Sequence, residues 1–272
     1  MEALIANIMI HFSIDDFILT FKDLTENEVC YHSLFDQPVF AFLKRMNREY
    51  GAVFSCFCFG KDEKSEFMLE NVTQKYREEF INNSQWLKFG FHGIDSAAVY
   101  GDNNGTRIIN RSFEQAAEDY EYVVKQLSRI VGEASIDTVP RIHFFAGTSD
   151  CCLAWKKAVH GIDGLLSADD NRYSYYHDDA MRVKLISEDI LYDSDKRLCF
   201  FRTHIRLEKE RDFDILCAKI RAYQGKCHIV FTHECYLEQA EMQNRIELCA
   251  REATEAGKRF GFPLECLTKD MK

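Results

Sequence analysis

The chain is short of the features that mark linkers, membrane spans and phosphate sites. Only three prolines stand among 272 residues, and no Gly/Ser-rich or single-charge tract breaks the sequence, so residues 1–272 read as a single domain without an internal linker. No run approaches the roughly 18 consecutive apolar residues that a membrane span needs. A cationic surplus is missing as well: 34 Lys and Arg face 44 Asp and Glu, a formal net charge of -10. That balance disfavours a nucleic-acid backbone as partner and suits a neutral or cationic ligand. There is no Gly-rich phosphate loop and no Gly-x-Ser-x-Gly elbow, which leaves nucleotide and serine chemistry without a motif. Residues 1–10 carry Glu2, lack a basic start and run straight into an apolar stretch, which argues against a secretory leader.

Cysteine, by contrast, is plentiful. The 11 cysteines are odd in number and several sit inside apolar stretches, as do Cys56, Cys58, Cys199, Cys217, Cys227 and Cys249. Cys56 and Cys58 alternate and Cys151 and Cys152 are adjacent, so neither pair has the two-residue gap of a zinc knuckle or redox motif. Reduced, buried thiols and a cytoplasmic location are the expectation.

Strand-like and helix-like stretches alternate. Residues 8–14, 52–59, 86–92, 141–145, 164–166 and 228–232 read as strands; 38–50, 69–82, 112–131, 151–159, 212–223 and 238–260 read as helices. The 112–131 stripe, opened by Ser112 and Gln115 as a capping box, is the clearest. Residues 183–191 and 198–207 flank Asp193-Ser194-Asp195-Lys196 as an antiparallel hairpin. Repeated strand–helix pairs imply parallel strands with crossover helices. The expected fold is therefore α/β: an irregular (β/α) barrel of about seven parallel strands with an inserted β-hairpin, a doubly wound open sheet being the alternative.

Chemistry in such folds sits at the C-terminal strand ends. The run Ile8-Met9-Ile10-His11-Phe12-Ser13-Ile14 ends on Asp15 and Asp16, whose side chains alternation sends to different faces, one for a metal and one for a proton. The other tips offer His92 and Asp95, Asp169 and Asp170, and His233 and Glu234. Carboxylates with imidazoles point to metal-assisted or acid/base hydrolysis. His11 and His143 fall inside strands and read as core or lining residues. The tyrosines Tyr173, Tyr175 and Tyr176 suit either edge packing or sugar stacking at a rim.

Ser13-Ile14-Asp15-Asp16 resembles the T-F-D-D motif of the polysaccharide deacetylase superfamily. His92-Gly93-Ile94-Asp95-Ser96 is similar to that family's H-[ST]-x-x-H motif, and Phe231-Thr232-His233 to its late L-x-H motif. Order and strand context agree from Ile8 to His233. The resemblance implies Asp15 as catalytic base, Asp16 and His92 as ligands of a divalent metal, zinc being the first choice, and His233 as the acid that protonates the leaving group.

Two departures stand out. The family's second metal histidine falls at Ser96, so Asp95 is the expected substitute ligand, giving a mixed carboxylate–imidazole site. The family's third motif carries an arginine that orients the base, and after the fourth strand Phe145-Ala146-Gly147-Thr148 offers none. Asp169 or Asp170 would match its fourth-motif aspartate. The function this implies is metal-dependent removal of an N-acetyl or O-acetyl group from a small or oligomeric carbohydrate. The water proton would pass to Asp15, and the oxyanion would be stabilised by the metal and a backbone N–H. Two competing readings are a catalytically silent barrel acting as a carbohydrate-binding or interaction protein, and a glycosidase using Asp15 and Asp169.

Overall fold

The computed structural model describes residues 8–101 and 110–267; the leader reading of residues 1–7 lies outside them. The first apolar run forms β1 (Met9–Phe17), buried along its length except at Asp16. A helix that the sequence did not announce, α1 (Leu19–Glu26), follows at once without a side-chain cap of its own. α2 (Pro38–Tyr50) matches the expected helix: Gln37 caps it, Pro38 occupies its first turn and left-handed Gly51, at φ 74°, ends it. β2 (Phe54–Phe59) is buried at every position. The expected 69–82 helix shrinks to a single 3₁₀ turn at Leu69–Asn71 and the short α3 (Arg77–Asn82). β3 (Leu87–Gly93) comes next, then α4 (Phe113–Val131), whose Ser112 and Gln115 form the expected capping box.

The expected strand at 141–145 is absent. His143–Phe145 make a 3₁₀ turn, and Phe144 and Phe145 take φ values of 58° and 56°, two successive left-handed residues that turn the chain out of an extended path. α5 (Ser149–Lys157) and β4 (Gly164–Leu166) follow. Most of the 183–191 strand is instead the helix α6 (Asp179–Glu188), capped by Asp178. The hairpin is confined to β5 (Ile190–Asp193) and β6 (Leu198–Phe201). β7 (Ile205–Arg206), α7 (Phe213–Ala222) and β8 (Cys227–His233) lead to α8 (Ala240–Glu255), which stops short so that β9 (Arg259–Phe260) can return beside β1.

The main sheet has the order β3-β2-β1-β8-β7, with β9 also on β1, and every pairing in it is parallel. A second sheet runs β4-β6-β5. Irregular backbone at 136–140 spans the gap between them: Asp137 N–H donates to Phe89 O at 2.8 Å and Leu166 N–H to Pro140 O at 3.0 Å. On the other side β6 leads within a few residues into β7, which pairs with β8. This is the α/β architecture that the alternation implies, with 136–140 standing where a regular strand would.

β1 is buried on both faces, one apolar throughout and one that turns polar toward the strand tip. Ile10, Phe12 and Ile14 join the large core with Phe40, Leu43 and Phe54. The other face carries Met9, which packs with Phe57, Phe201 and Ile229, and then His11, Ser13 and Asp15. Parallel pairing brings the strand tips to one end; Asp15 is the register partner of His233. Among the described residues no helix is long and apolar enough to cross a membrane, and the eleven cysteines are free thiols.

Candidate metal centre

The two aspartates diverge through a bulge rather than by simple alternation. Between Ile14, opposite Cys56, and Phe17, opposite Cys58, β1 spends one residue more than β2. Asp16 absorbs the excess at φ 61°, a left-handed conformation that aspartate tolerates better than most residues. Asp15 stays buried at 2% exposure.

Asp16 meets two imidazoles. His92 Nε2 lies 3.1 Å and His143 Nδ1 3.6 Å from Asp16 Oδ1, and the two ring nitrogens are 3.3 Å apart. The second ring comes from the 141–145 segment, so His143 is no core strand residue. Asp16, His92 and His143 are the group that could hold a metal ion among the described residues, with ligand atoms within 4.8 Å of one another.

Proton inventory supports that fit. His92 Nδ1 lies 2.6 Å from the Arg141 carbonyl, and a carbonyl oxygen only accepts, so Nδ1 carries a hydrogen and Nε2 is the ring atom turned to Asp16. Asp16 Oδ1 is itself buried without a hydrogen-bond partner. Burial lowers His143 despite Asp16, so its ring is neutral near pH 7. Three ligand atoms gathered this closely, one of them an orphaned buried carboxylate oxygen, suit a cation, and an Asp-His-His set suits zinc or another first-row divalent ion. The backbone carbonyl behind His92 is the outer support such ligands usually have.

Asp95 and Ser96 lie outside this cluster. Asp95 Oδ1 accepts the N–H groups of Ala97 and Ala98 at 3.0 and 2.7 Å, and Oδ2 pairs with Lys61 at 3.0 Å; it closes a turn. Ser96 donates to Glu63 at 2.6 Å.

The arginine sought after the fourth strand is present slightly earlier, as Arg141. Its Nη1 donates to Asp15 Oδ1 and to Ser13 Oγ, both at 2.8 Å, and its Nη2 to Thr203 Oγ1 at 3.0 Å. The guanidinium is 1% exposed and lies 4.2 Å from the centre of the Phe231 ring. The 141–143 segment thus supplies one residue to each aspartate.

His233, at the tip of β8, hydrogen-bonds through Nδ1 to Glu208, which also accepts from Arg206 Nε at 2.8 Å. Burial would depress the His233 imidazole, but Glu208, reinforced by Asp15 and Asp16, holds it above its ordinary value. Glu208 takes this place, whereas Asp169 pairs with Lys209 at 3.1 Å and Asp170 with Arg172 at 2.6 Å. Tyr175 and Tyr176 donate to Leu166 O and Asp193, both at 2.6 Å, which is edge packing; Tyr173 is half-exposed against Asp179. His11 is buried, bonded to Gly261 O, and burial pulls its pKa to about 3. A cleft of about 280 Å³ opens beside Asp16, lined also by Leu19, Phe59, Lys61, Glu234 and Cys235.

No family model and no curated relative matches the chain. Solved structures do. A candidate polysaccharide deacetylase from Mycobacterium smegmatis aligns over 96% of this chain and 89% of its own at 10% identity, with a TM-score of 0.57. A family 4 acetyl xylan esterase from Clostridium thermocellum, in complex with cobalt, aligns over 95% and 89% at 9% identity and a TM-score of 0.47. A CE4 family pseudoenzyme from Bacillus anthracis aligns over 96% of this chain at 8% identity and a TM-score of 0.44, and this chain spans 66% of that one. The first of these likenesses shows that the chain shares the fold of that protein.

Proposed function

We propose that the protein is a metal-dependent hydrolase that removes an N-acetyl or O-acetyl group from a small or oligomeric carbohydrate. The observation that carries this reading is the convergence of Asp16, His92 and His143 beside an Asp15 held by a buried arginine. A divalent ion bound there supplies a Lewis acid for the acyl carbonyl and lowers the pKa of water.

The chain's own residues then divide the proton work. Arg141 occupies Asp15 Oδ1 and leaves Oδ2 to take a proton from the attacking water. His233, whose imidazole Glu208 holds above its ordinary value, donates to the departing amine or alkoxide, and Asp15 and His233 face each other across neighbouring strands in register. The products are acetate and the free sugar amine or alcohol. Against the reading of a catalytically silent barrel, the proximity of His143 to Asp16 and of Arg141 to Asp15 supports a complete centre in spite of Ser96.

The test is metal content by plasma mass spectrometry on protein purified without a metal-affinity column. About one equivalent of a divalent ion is expected in the wild type and little in folded Asp16→Ala or His92→Ala; N-acetylated and O-acetylated sugars are then screened for acetate release. Stoichiometric metal retained in either variant would sink the proposed site.

A further inference from the structure

The helix that follows Asp16 is capped from the far side of the site. α1 has no side-chain cap of its own and no acid in its first turn, which leaves its leading N–H groups without a local acceptor. Glu234, the residue after His233, takes them. Its Oε2 accepts from Ile18 N–H at 2.9 Å and Leu19 N–H at 2.8 Å, and its Oε1 from Thr20 N–H at 2.7 Å. The carboxylate is 5% exposed, and an anion at a helix N-terminus is favourably placed.

Two residues before Ile18 stands Asp16 in its left-handed conformation. Such a conformation persists only where the surroundings impose it. The ladder fixes the chain before the bulge, and the Glu234 clasp fixes it after. We infer that Glu234 is a positioning residue: it fastens the tip of β1 to the tip of β8 and so holds the Asp16 carboxylate toward His92 and His143. Both Glu234 oxygens are engaged by backbone, so it acts through Asp16 rather than on substrate.

This inference rests on the metal-centre reading, and the experiment keeps the two apart. Wild type, Glu234→Gln and, as a helix-cap control remote from the centre, Asp178→Ala are titrated with cobalt(II) chloride well below their melting temperatures. The Asp16 Cα and Cβ chemical shifts are also measured in each metal-free protein. Expected is a cobalt Kd raised about 10- to 100-fold in Glu234→Gln, an altered visible cobalt spectrum, and Asp16 shifts displaced from left-handed values, with Asp178→Ala unchanged in all three. A purely structural cap would lower the melting temperature in both variants and move none of these readouts. Wild-type cobalt affinity and wild-type Asp16 shifts in Glu234→Gln overturn the inference. If wild type binds no cobalt, the metal-centre reading falls, and the metal-free Asp16 shifts alone decide for or against the clasp. If Glu234→Gln does not fold, Glu234→Asp, which keeps the charge but shortens the reach by one methylene, is measured in its place.

Discussion

Two parts of the fold build the candidate site by opposite means. The β3-β2-β1-β8-β7 ladder offers Asp15, Asp16, His92 and His233 at strand tips, where parallel register sets their spacing. The 136–145 segment has no ladder: isolated hydrogen bonds hold it and two left-handed phenylalanines end it. It nevertheless supplies Arg141 and His143, one for each aspartate. Regular pairing positions groups that can sit at fixed steps, whereas groups that must reach in from the side need backbone freed from the ladder. The price is conformational strain, which tight burial of Arg141 and the ring contacts of His143 offset.

The sharpest way to break this division is to remove the buried cation. Arg141→Met leaves the Asp15 charge without its partner inside the barrel, and a loss of about 3–5 kcal/mol in unfolding free energy is expected. The double variant Arg141→Met, Asp15→Leu removes both charges and should recover most of it. Urea denaturation checks both; a loss under about 1 kcal/mol in the single variant means that Asp15 does not depend on the irregular segment.

Next in size is metal affinity. His143→Ala removes a proposed ligand, so zinc Kd should rise by about 100-fold or more, beyond the usual cost of disturbing an outer-shell partner. Asp95→Asn keeps the Oδ1 that accepts Ala97 and Ala98 N–H and loses only a pairing with half-exposed Lys61, worth about 0–1 kcal/mol. Zinc Kd in that variant should stay within about threefold of wild type, by competition with a chromophoric chelator. The reverse ranking would restore Asp95 as the third ligand.

What could be read from sequence follows the same division. Asp15, Asp16, His92 and His233 announce themselves because apolar runs end on them. Arg141-Ile142-His143-Phe144-Phe145 alternates polar and apolar residues and so imitates a strand, while phenylalanine carries no preference for the left-handed turn it makes here. The polar residues at every second position, just after Pro140, were the available signal that this stretch lines a site. α1 was illegible for another reason: its cap, Glu234, lies more than 200 residues away, and no local motif can show it. Residues 183–191 read as a strand because the turn at 193–196 suggests a hairpin arm there, whereas the Asp178 cap starts α6 instead.

A third test uses pH on the ladder side. Glu208 holds the His233 imidazole above its ordinary 6.5, so the ring carries its proton, and can act as an acid, until pH rises through that raised value. The contribution of His233 to folding follows the same sign: while Glu208 stays ionised it is complete below the ring's unfolded value and is lost as pH climbs through the folded one. Glu208→Gln should move the NMR titration of His233 Cε1–H to lower pH, and with it the alkaline limb of acetate release. An unmoved titration would mean that Glu208 does not govern the proton donor.

The smallest effect belongs to a regular element away from the centre. Ser112 Oγ accepts Gln115 N–H at 3.2 Å at the start of α4, and Ser112→Ala leaves that donor to water, at a cost of about 1 kcal/mol. The helix packs Ala116, Tyr120, Val123 and Leu127 into the core, so the loss falls on the stability of the whole fold rather than on one strand tip. Zinc Kd should be unchanged while the urea midpoint drops. Were this variant to lose metal as well, general loosening of the barrel could weaken the centre, and losses seen in the 141–143 variants would need correcting by that amount before any of them was credited to a ligand.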